Sequence, residues 1–181
     1  MSTTGQITTA QHLAQATDLG RCELIRGELV MMTPAGFEHG CIVVAITSPL
    51  GHFVKQNALG RVTGAETGFQ ISSNPDTVRA PDVGFVCRRR IPDTPVKGFF
   101  VGAPDLAVEV LSPGDRAGNV LAKVQDWLRA GCRIVWLVDP ATQTVSVYDD
   151  KNRTVALDKS DELTGDDVLP GFRMSVAEIF A

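Results

Sequence analysis

Two nearly continuous apolar segments, residues 105–111 and 133–138, constrain the fold more than any other feature. Both are the length of a strand and lack a polar alternate face, which predicts strands covered on both sides. Residues 117–130 between them have a helical pattern, and Gly131 predicts the C-terminal cap of that helix. A strand, a helix and a second strand in this order predict one right-handed crossover and a parallel strand pair.

Hairpins are predicted on either side of this unit. Residues 22–32 form one hairpin with Gly27 at its turn, and residues 142–157 form another. A helix is predicted over residues 37–56, with a kink or a restart at Pro49. The pattern predicts the α/β (or α+β) class, with a mixed central sheet flanked by helices. The length of 181 residues predicts a single domain over residues 1–181.

Composition narrows the function classes. The net charge of −4 argues against a protein that binds nucleic acid broadly and without regard to its sequence. It does not exclude a local basic patch. No apolar run approaches the roughly 20 residues that a membrane span needs. The polar N-terminal residues lack the charged and apolar regions of a signal peptide. We therefore expect a cytoplasmic protein with no membrane partner.

Cysteine and histidine spacing argues against zinc sites. The four cysteines form no C-x-x-C pair, and the three histidines show no H-x-x-x-H spacing. In a reducing compartment the cysteines are expected to be buried free thiols. Cys41 lies two residues after His39, but its apolar neighbours favour an inert thiol over a nucleophile.

Glu109 and Asp82 are the acidic residues that fit least well with a purely structural role. Glu109 lies in the middle of a buried-type strand, where a carboxylate is costly unless a cation, a metal or a donor meets it. Asp82 follows Pro81 at the start of another apolar strand. Two carboxylates from two buried strands can meet at one hard divalent ion. The alternatives are that Glu109 lies on an edge strand or pairs with an arginine, and that Asp82 is an ordinary turn aspartate.

Lys123 is the candidate cation. On the predicted helix it shares a side with the apolar Val120 and Trp127, so it borders the buried face. One interpretation places its ammonium near a scissile phosphate or an attacking water. The other is a lysine whose stem lies on the core while its charge reaches solvent.

Three weaker candidates complete the set. Glu23 in the first hairpin and His39 near the start of the second helix are candidates to position water or to act as acid or base. Such residues are more often surface hydrogen-bonding groups. The basic run 88–90 offers contacts to phosphates, although a solvated loop is the more common role for such a run.

An ordered set of short motifs resembles a known family. The motifs are Glu23-Leu-Ile-Arg-Gly-Glu-Leu29, Pro34 with His39, Pro81-Asp82-Val83, Pro104-Asp-Leu-Ala-Val-Glu-Val-Leu-Ser-Pro113, Lys123, and Trp136-Leu-Val-Asp-Pro140. This order is similar to the Uma-two endonuclease family, within the PD-(D/E)xK restriction-endonuclease-like superfamily. The resemblance extends over residues 20–150.

The resemblance implies a restriction-endonuclease-like mixed sheet and a metal site. It maps the metal-binding aspartate onto Asp82 and the second acidic ligand onto Glu109, with the Val110 carbonyl as a further ligand. The superfamily pattern has a lysine two residues after the glutamate, where this chain has Leu111. The family supplies the substitute from the following helix, which is Lys123 here. The implied cofactor is Mg²⁺ or Mn²⁺.

The implied activity is metal-dependent endonucleolytic hydrolysis of phosphodiester bonds, with DNA as the expected substrate. Asp82, Glu109 and Lys123 would carry the chemistry, and Glu23 or His39 would orient water. The alternative is a catalytically inactive metal- or ligand-binding module of the same fold, favoured by the net charge and by Leu111. A third possibility is a structural protein in which Glu109 is paired internally. Because cutting two strands needs two sites, we also expect a homodimer.

Overall fold

The computed structural model describes residues 7–181, which form four helices and thirteen strands. The helices are α1 (Ala10–Gln15), α2 (Phe37–Gln56), α3 (Ala117–Arg129) and α4 (Val176–Ile179). The strands are β1 (Cys22–Ile25), β2 (Glu28–Met31), β3 (Gly60–Thr63), β4 (Phe69–Ser72), β5 (Thr77–Arg79), β6 (Val83–Cys87), β7 (Phe100–Val101), β8 (Leu106–Val110), β9 (Ile134–Asp139), β10 (Thr144–Asp149), β11 (Thr154–Leu157), β12 (Glu162–Gly165) and β13 (Leu169–Ser175).

The central sheet has six strands in the spatial order β11-β10-β9-β8-β6-β3. Strands β8 and β9 are parallel and joined by α3, while the other neighbours are antiparallel. Gly131 takes a φ of +93° directly after α3, a backbone conformation that favours glycine. The predicted parallel pair and mixed sheet flanked by helices are therefore confirmed.

Both faces of the central sheet are covered, as the apolar strand sequences predict. On one face, α2 packs Ile46 and Leu50 against Val108 and Trp136. On the other, α3 packs Trp127 against alternate residues of β8 and β9. Each large aliphatic side chain buried in this way contributes about 1.5–3 kcal/mol. The second face, next to α3, is the one that carries Glu109.

A second sheet has five strands in the order β2-β1-β5-β4-β7. It contains the predicted hairpin, in which β1 pairs with β2 and Gly27 at the turn has a φ of +79°. The prediction that this hairpin belongs to the mixed central sheet was therefore wrong. Its pairing with β5 depends on contacts distant in sequence. Strands β12 and β13 form a separate antiparallel pair.

Helix α2 runs without interruption past Pro49, so the predicted restart does not occur. A proline inside a helix loses one backbone hydrogen bond, and here packing of the apolar face maintains the helix. The prediction of buried cysteines was correct only for Cys132, because Cys41 lies exposed on α2 and Cys22 and Cys87 are half-buried. Helix α1 begins after its Thr9 cap and ends at Gln15.

Within residues 7–181, no helix is both long enough and apolar enough to cross a membrane.

Candidate functional site

Strands β6 and β8 bring Asp82 and Glu109 to the same place. The strands are antiparallel, with Val83 opposite Val108. Asp82 directly precedes β6, and its charge acts on Glu109 of β8. The Asp82 N–H donates to the Val108 carbonyl at 3.0 Å, which holds Asp82 at the end of β6. Both side chains are buried, and the two predicted acidic residues lie close enough for their charges to interact.

Asp82 accepts hydrogen bonds from three directions. Its Oδ2 atom receives the Val110 N–H at 2.8 Å and lies 3.3 Å from His39 Nε2, while Oδ1 lies 3.4 Å from Arg21 Nη2. Burial by itself would raise the pKa of Asp82, but the His39 and Val110 hydrogen bonds outweigh it and lower that pKa. The Asp82 hydrogen bond raises the pKa of His39, against the effect of its burial. Asp82 is therefore held as a carboxylate.

Glu109 is held by two donors from α3. Trp127 Nε1 donates to Oε1 at 2.7 Å, and Lys123 Nζ lies 2.9 Å from Oε2. Burial raises the pKa of Glu109 to about 7, although Lys123 opposes the rise; the nearby Asp82 charge adds to it. The charged form of Glu109 is therefore more costly here than in water.

Lys123 turns inward rather than reaching solvent. Its ammonium lies 2.9 Å from Glu109, 3.2 Å from Glu23 Oε1 and 3.4 Å from the Ala80 carbonyl. Burial would lower the pKa of Lys123, but the charges of Glu109 and Glu23 outweigh that effect and raise it. Lys123 is therefore a fixed cation at neutral pH. The interpretation of its ammonium as solvent-facing was wrong.

Glu23 connects this cluster to the second sheet. Its Oε1 accepts the Ala80 N–H at 3.0 Å, and its Oε2 lies 2.8 Å from Arg79 Nη1. Arg79 in turn donates to Asp126 of α3 at 2.6 and 3.1 Å. Glu23 is 4% exposed, so it is not the surface hydrogen-bonding group that such residues usually are.

The structure thus brings together the five side chains proposed from the sequence: Glu23, His39, Asp82, Glu109 and Lys123. It also adds four that sequence reasoning missed, namely Arg21, Arg79, Asp126 and Trp127. The basic run 88–90 lies at the opposite end of β6, where Arg90 binds the Asp105 carboxylate at 3.1 Å. That run is therefore not part of this site.

The charges of the site are nearly balanced, and a cleft leads to it. Four carboxylates face three permanent cations in the network of Arg21, Arg79, Lys123, Glu23, Asp82, Glu109 and Asp126. Among residues 7–181, no three His, Cys, Asp or Glu side chains form a ready-made metal cage. A cleft of about 540 Å³, lined by Asp82, His39 and Arg21 among others, opens onto the cluster.

The chain is similar to a known protein family and to a solved structure. A family described as "Putative restriction endonuclease", Uma2, matches residues 9–177. A crystal structure from Anabaena variabilis, titled as that of a putative nuclease, superposes with a TM-score of 0.82 at 24% identity. The match covers 95% of this chain and 97% of that one, and at this identity it shows the fold alone. No curated protein matches the chain.

Proposed function

Because the chain belongs to the Uma2 family of restriction endonucleases, we propose that it hydrolyses phosphodiester bonds of nucleic acid, with DNA as the substrate and Mg²⁺ or Mn²⁺ as cofactor. One observation carries this proposal. Two buried carboxylates, Asp82 next to β6 and Glu109 on the neighbouring β8, interact through their charges, and a fixed lysine, Lys123, lies beside Glu109.

The donors present fit a hard divalent cation. Magnesium is typically bound by one or two carboxylates together with water and substrate phosphate, rather than by an all-protein cage. Asp82, Glu109 and the Val110 carbonyl would supply oxygen ligands. The raised pKa of Glu109 also supports a cation site. A nearby cation would offset the cost of burying the Glu109 charge and the repulsion between Glu109 and Asp82. When bound, the cation would polarise the phosphate and lower the pKa of water.

The remaining residues would orient groups and stabilise charge. Lys123 would place a positive charge where negative charge develops on the phosphate. Glu23 and Glu109 both hold the Lys123 ammonium, and Trp127 fixes the Glu109 carboxylate. His39 stands beside Asp82, from where its imidazole would orient water or accept a proton.

One observation favours the second candidate, an inactive binding module of the same fold. Both Glu109 oxygens already have partners, Trp127 and Lys123, and position 111 holds Leu in place of a lysine. A fully paired carboxylate is a stable structural arrangement without any metal. The two candidates differ in whether Lys123 serves only to neutralise Glu109.

A cleavage assay separates these functions. Purified protein is incubated with supercoiled plasmid, linear duplex DNA, single-stranded DNA and single-stranded RNA, each with Mg²⁺, Mn²⁺ or EDTA. We expect cleavage of DNA with cation only, and loss of at least about 100-fold in rate in Asp82→Asn. Asp93→Asn is the matched control, because Asp93 is exposed in a loop. Absence of cleavage with every substrate and cation would favour the binding module.

A homodimer remains part of the proposal, since two strands are cut most simply by two symmetric sites. Light scattering across micromolar concentrations should give twice the mass of 19.4 kDa. A strictly monomeric mass would contradict the dimer.

A further inference from the structure

The Arg21 side chain makes few hydrogen bonds within the described residues. A guanidinium has five N–H donors, but the one side-chain hydrogen bond that Arg21 makes within the described chain is the 3.4 Å contact to Asp82. This is long for a hydrogen bond between charged groups. Its Nε atom is buried and has no partner among the described residues. By contrast, Arg79 makes three hydrogen bonds of 2.6–3.1 Å.

The neighbours of Arg21 do not need it for their own hydrogen bonding. Asp82 Oδ2 already receives the Val110 N–H and lies next to His39. Glu66 lines the same clefts as Arg21 but is not among its ion-pair partners within residues 7–181. The underused donors are therefore available to a group that the protein alone does not supply.

Arg21 also stands where two clefts meet. A cleft of about 540 Å³ reaches it from the side of Asp82 and His39, and one of about 250 Å³ from the side of Arg79 and Ala80. Its side chain is 18% exposed, so an anion entering either cleft can reach the guanidinium. Its backbone is fixed by the Met32 N–H, which donates to the Arg21 carbonyl at 2.8 Å.

We propose that Arg21 binds the non-bridging oxygens of a substrate phosphodiester next to Asp82, and so positions the substrate phosphate. This inference rests on the proposed function, because it assigns a substrate-binding residue to that site. The planar guanidinium fork matches two phosphate oxygens, and its fixed charge offsets theirs. A phosphate would supply the acceptors that the Arg21 donors lack.

Binding of thymidylyl-thymidine, which contains one phosphodiester, tests the proposal. Titration calorimetry is done with Mg²⁺ in the Lys123→Ala background, so that the probe is not consumed. We expect Arg21→Gln to weaken binding about 10- to 100-fold. The affinity of Arg21→Lys should fall between those of the background protein and of Arg21→Gln, because lysine keeps the charge but lacks the planar guanidinium fork. Arg26→Gln, an equal charge change on the same hairpin at an exposed residue, should bind as the background does.

The uncharged methylphosphonate analogue of the same dinucleotide separates phosphate binding from a structural effect. If Arg21 contacts the phosphate, Arg21→Gln should leave the weak binding of this analogue unchanged. Equal loss for both probes would overturn the proposal, because it would mean that Arg21 acts through the fold. Arg21→Lys provides the comparison should Arg21→Gln fail to fold. Failure of both the wild type and the background protein to bind the dinucleotide would also overturn the proposal.

Cleavage kinetics keep this proposal distinct from the proposed function. If the wild-type protein cleaves DNA and Arg21→Gln does so with unchanged KM and kcat/KM, the function stands and the role of Arg21 is refuted. If no nucleic acid is cleaved but dinucleotide binding still depends on Arg21, the role of Arg21 stands and the nuclease function is refuted.

Discussion

The same two strands, β6 and β8, hold buried acidic groups at both of their ends, and the two ends differ. At one end, the Asp105 carboxylate receives the Cys87 N–H at 2.8 Å and lies 3.1 Å from Arg90. Arg90 also donates to the Ala103 carbonyl at 2.7 Å. One acid and one base, both hydrogen-bonded, close this end of the strand pair.

At the other end, the charges of Asp82 and Glu109 interact, and the cations around them differ in how many partners they have. Lys123 is shared between Glu109 and Glu23, while Arg21 makes one long contact. A buried charge by itself therefore does not identify a functional site. What distinguishes the second end is the convergence of like charges next to a donor without enough acceptors.

The largest expected difference between the two ends is in catalysis. Lys123→Ala should lower DNA cleavage by about 10²–10³-fold, because it removes a positive charge aimed at the reacting phosphate. Arg90→Ala, which removes a cation from the other end, should leave the rate per folded molecule unchanged. Full activity of Lys123→Ala under initial-rate conditions would show that Lys123 has only a structural role.

A bound metal ion should stabilise the protein only through the end of the β6–β8 pair that carries Asp82. A cation that binds only the folded state adds about 2.7 kcal/mol at 100 times its Kd. Thermal melts with Mn²⁺ and with chelator should show this gain for the wild type and for Asp105→Asn. Asp82→Asn should lose most of it. An equal gain in Asp82→Asn would place the cation elsewhere on the protein.

Neutralising Asp105 should destabilise the fold more than neutralising Glu109. Asp105→Asn leaves the Arg90 guanidinium without its carboxylate, and breaking a buried pair costs about 3–5 kcal/mol. Arg90 is 30% exposed, so we expect about 2 kcal/mol in urea unfolding. A change below about 0.5 kcal/mol would mean that the pair of Asp105 and Arg90 does not stabilise this end of the two strands.

Glu109→Gln should change stability least. In chelator at pH 7 we expect the variant to unfold within about 1 kcal/mol of the wild type, because Lys123 keeps its contact with Glu23. The folded-state pKa of Glu109 is raised to about 7, so ionisation destabilises the wild type as pH rises from about 4.5 to 7. The variant lacks this penalty and should gain relative to the wild type across that window. A loss of 3 kcal/mol or more would instead indicate an internal ion pair that the fold requires.

The sequence predicted the acidic residues and the lysine because Glu109 and Lys123 sit in regular elements and Asp82 directly precedes one. Alternation along an apolar strand sets the face of Glu109, and helical spacing sets the side of Lys123. Asp82 and Asp105 are both acids beside apolar strands. Their difference depends on which cation reaches them from elsewhere in the chain.

The missed residues depend on contacts that no local pattern encodes. Arg79 lies on the three-residue strand β5 and meets Glu23 only because β5 pairs with β1 in the second sheet. Strand β13 also escaped prediction, because Pro170 and Gly171 near its start indicate a turn. Arg21 precedes β1 and has no signal of its own in the sequence.

The most direct test of the central claim is a crystal soaked in Mn²⁺ and measured for anomalous scattering. We expect one peak between the Asp82 and Glu109 carboxylates, with oxygen distances of about 2.0–2.6 Å and the Val110 carbonyl as a further ligand. No peak should occur near Asp105. Absence of a peak between Asp82 and Glu109 at a saturating Mn²⁺ concentration, with Glu109 still bound to Lys123 and Trp127, would contradict the assignment of this end as a metal site.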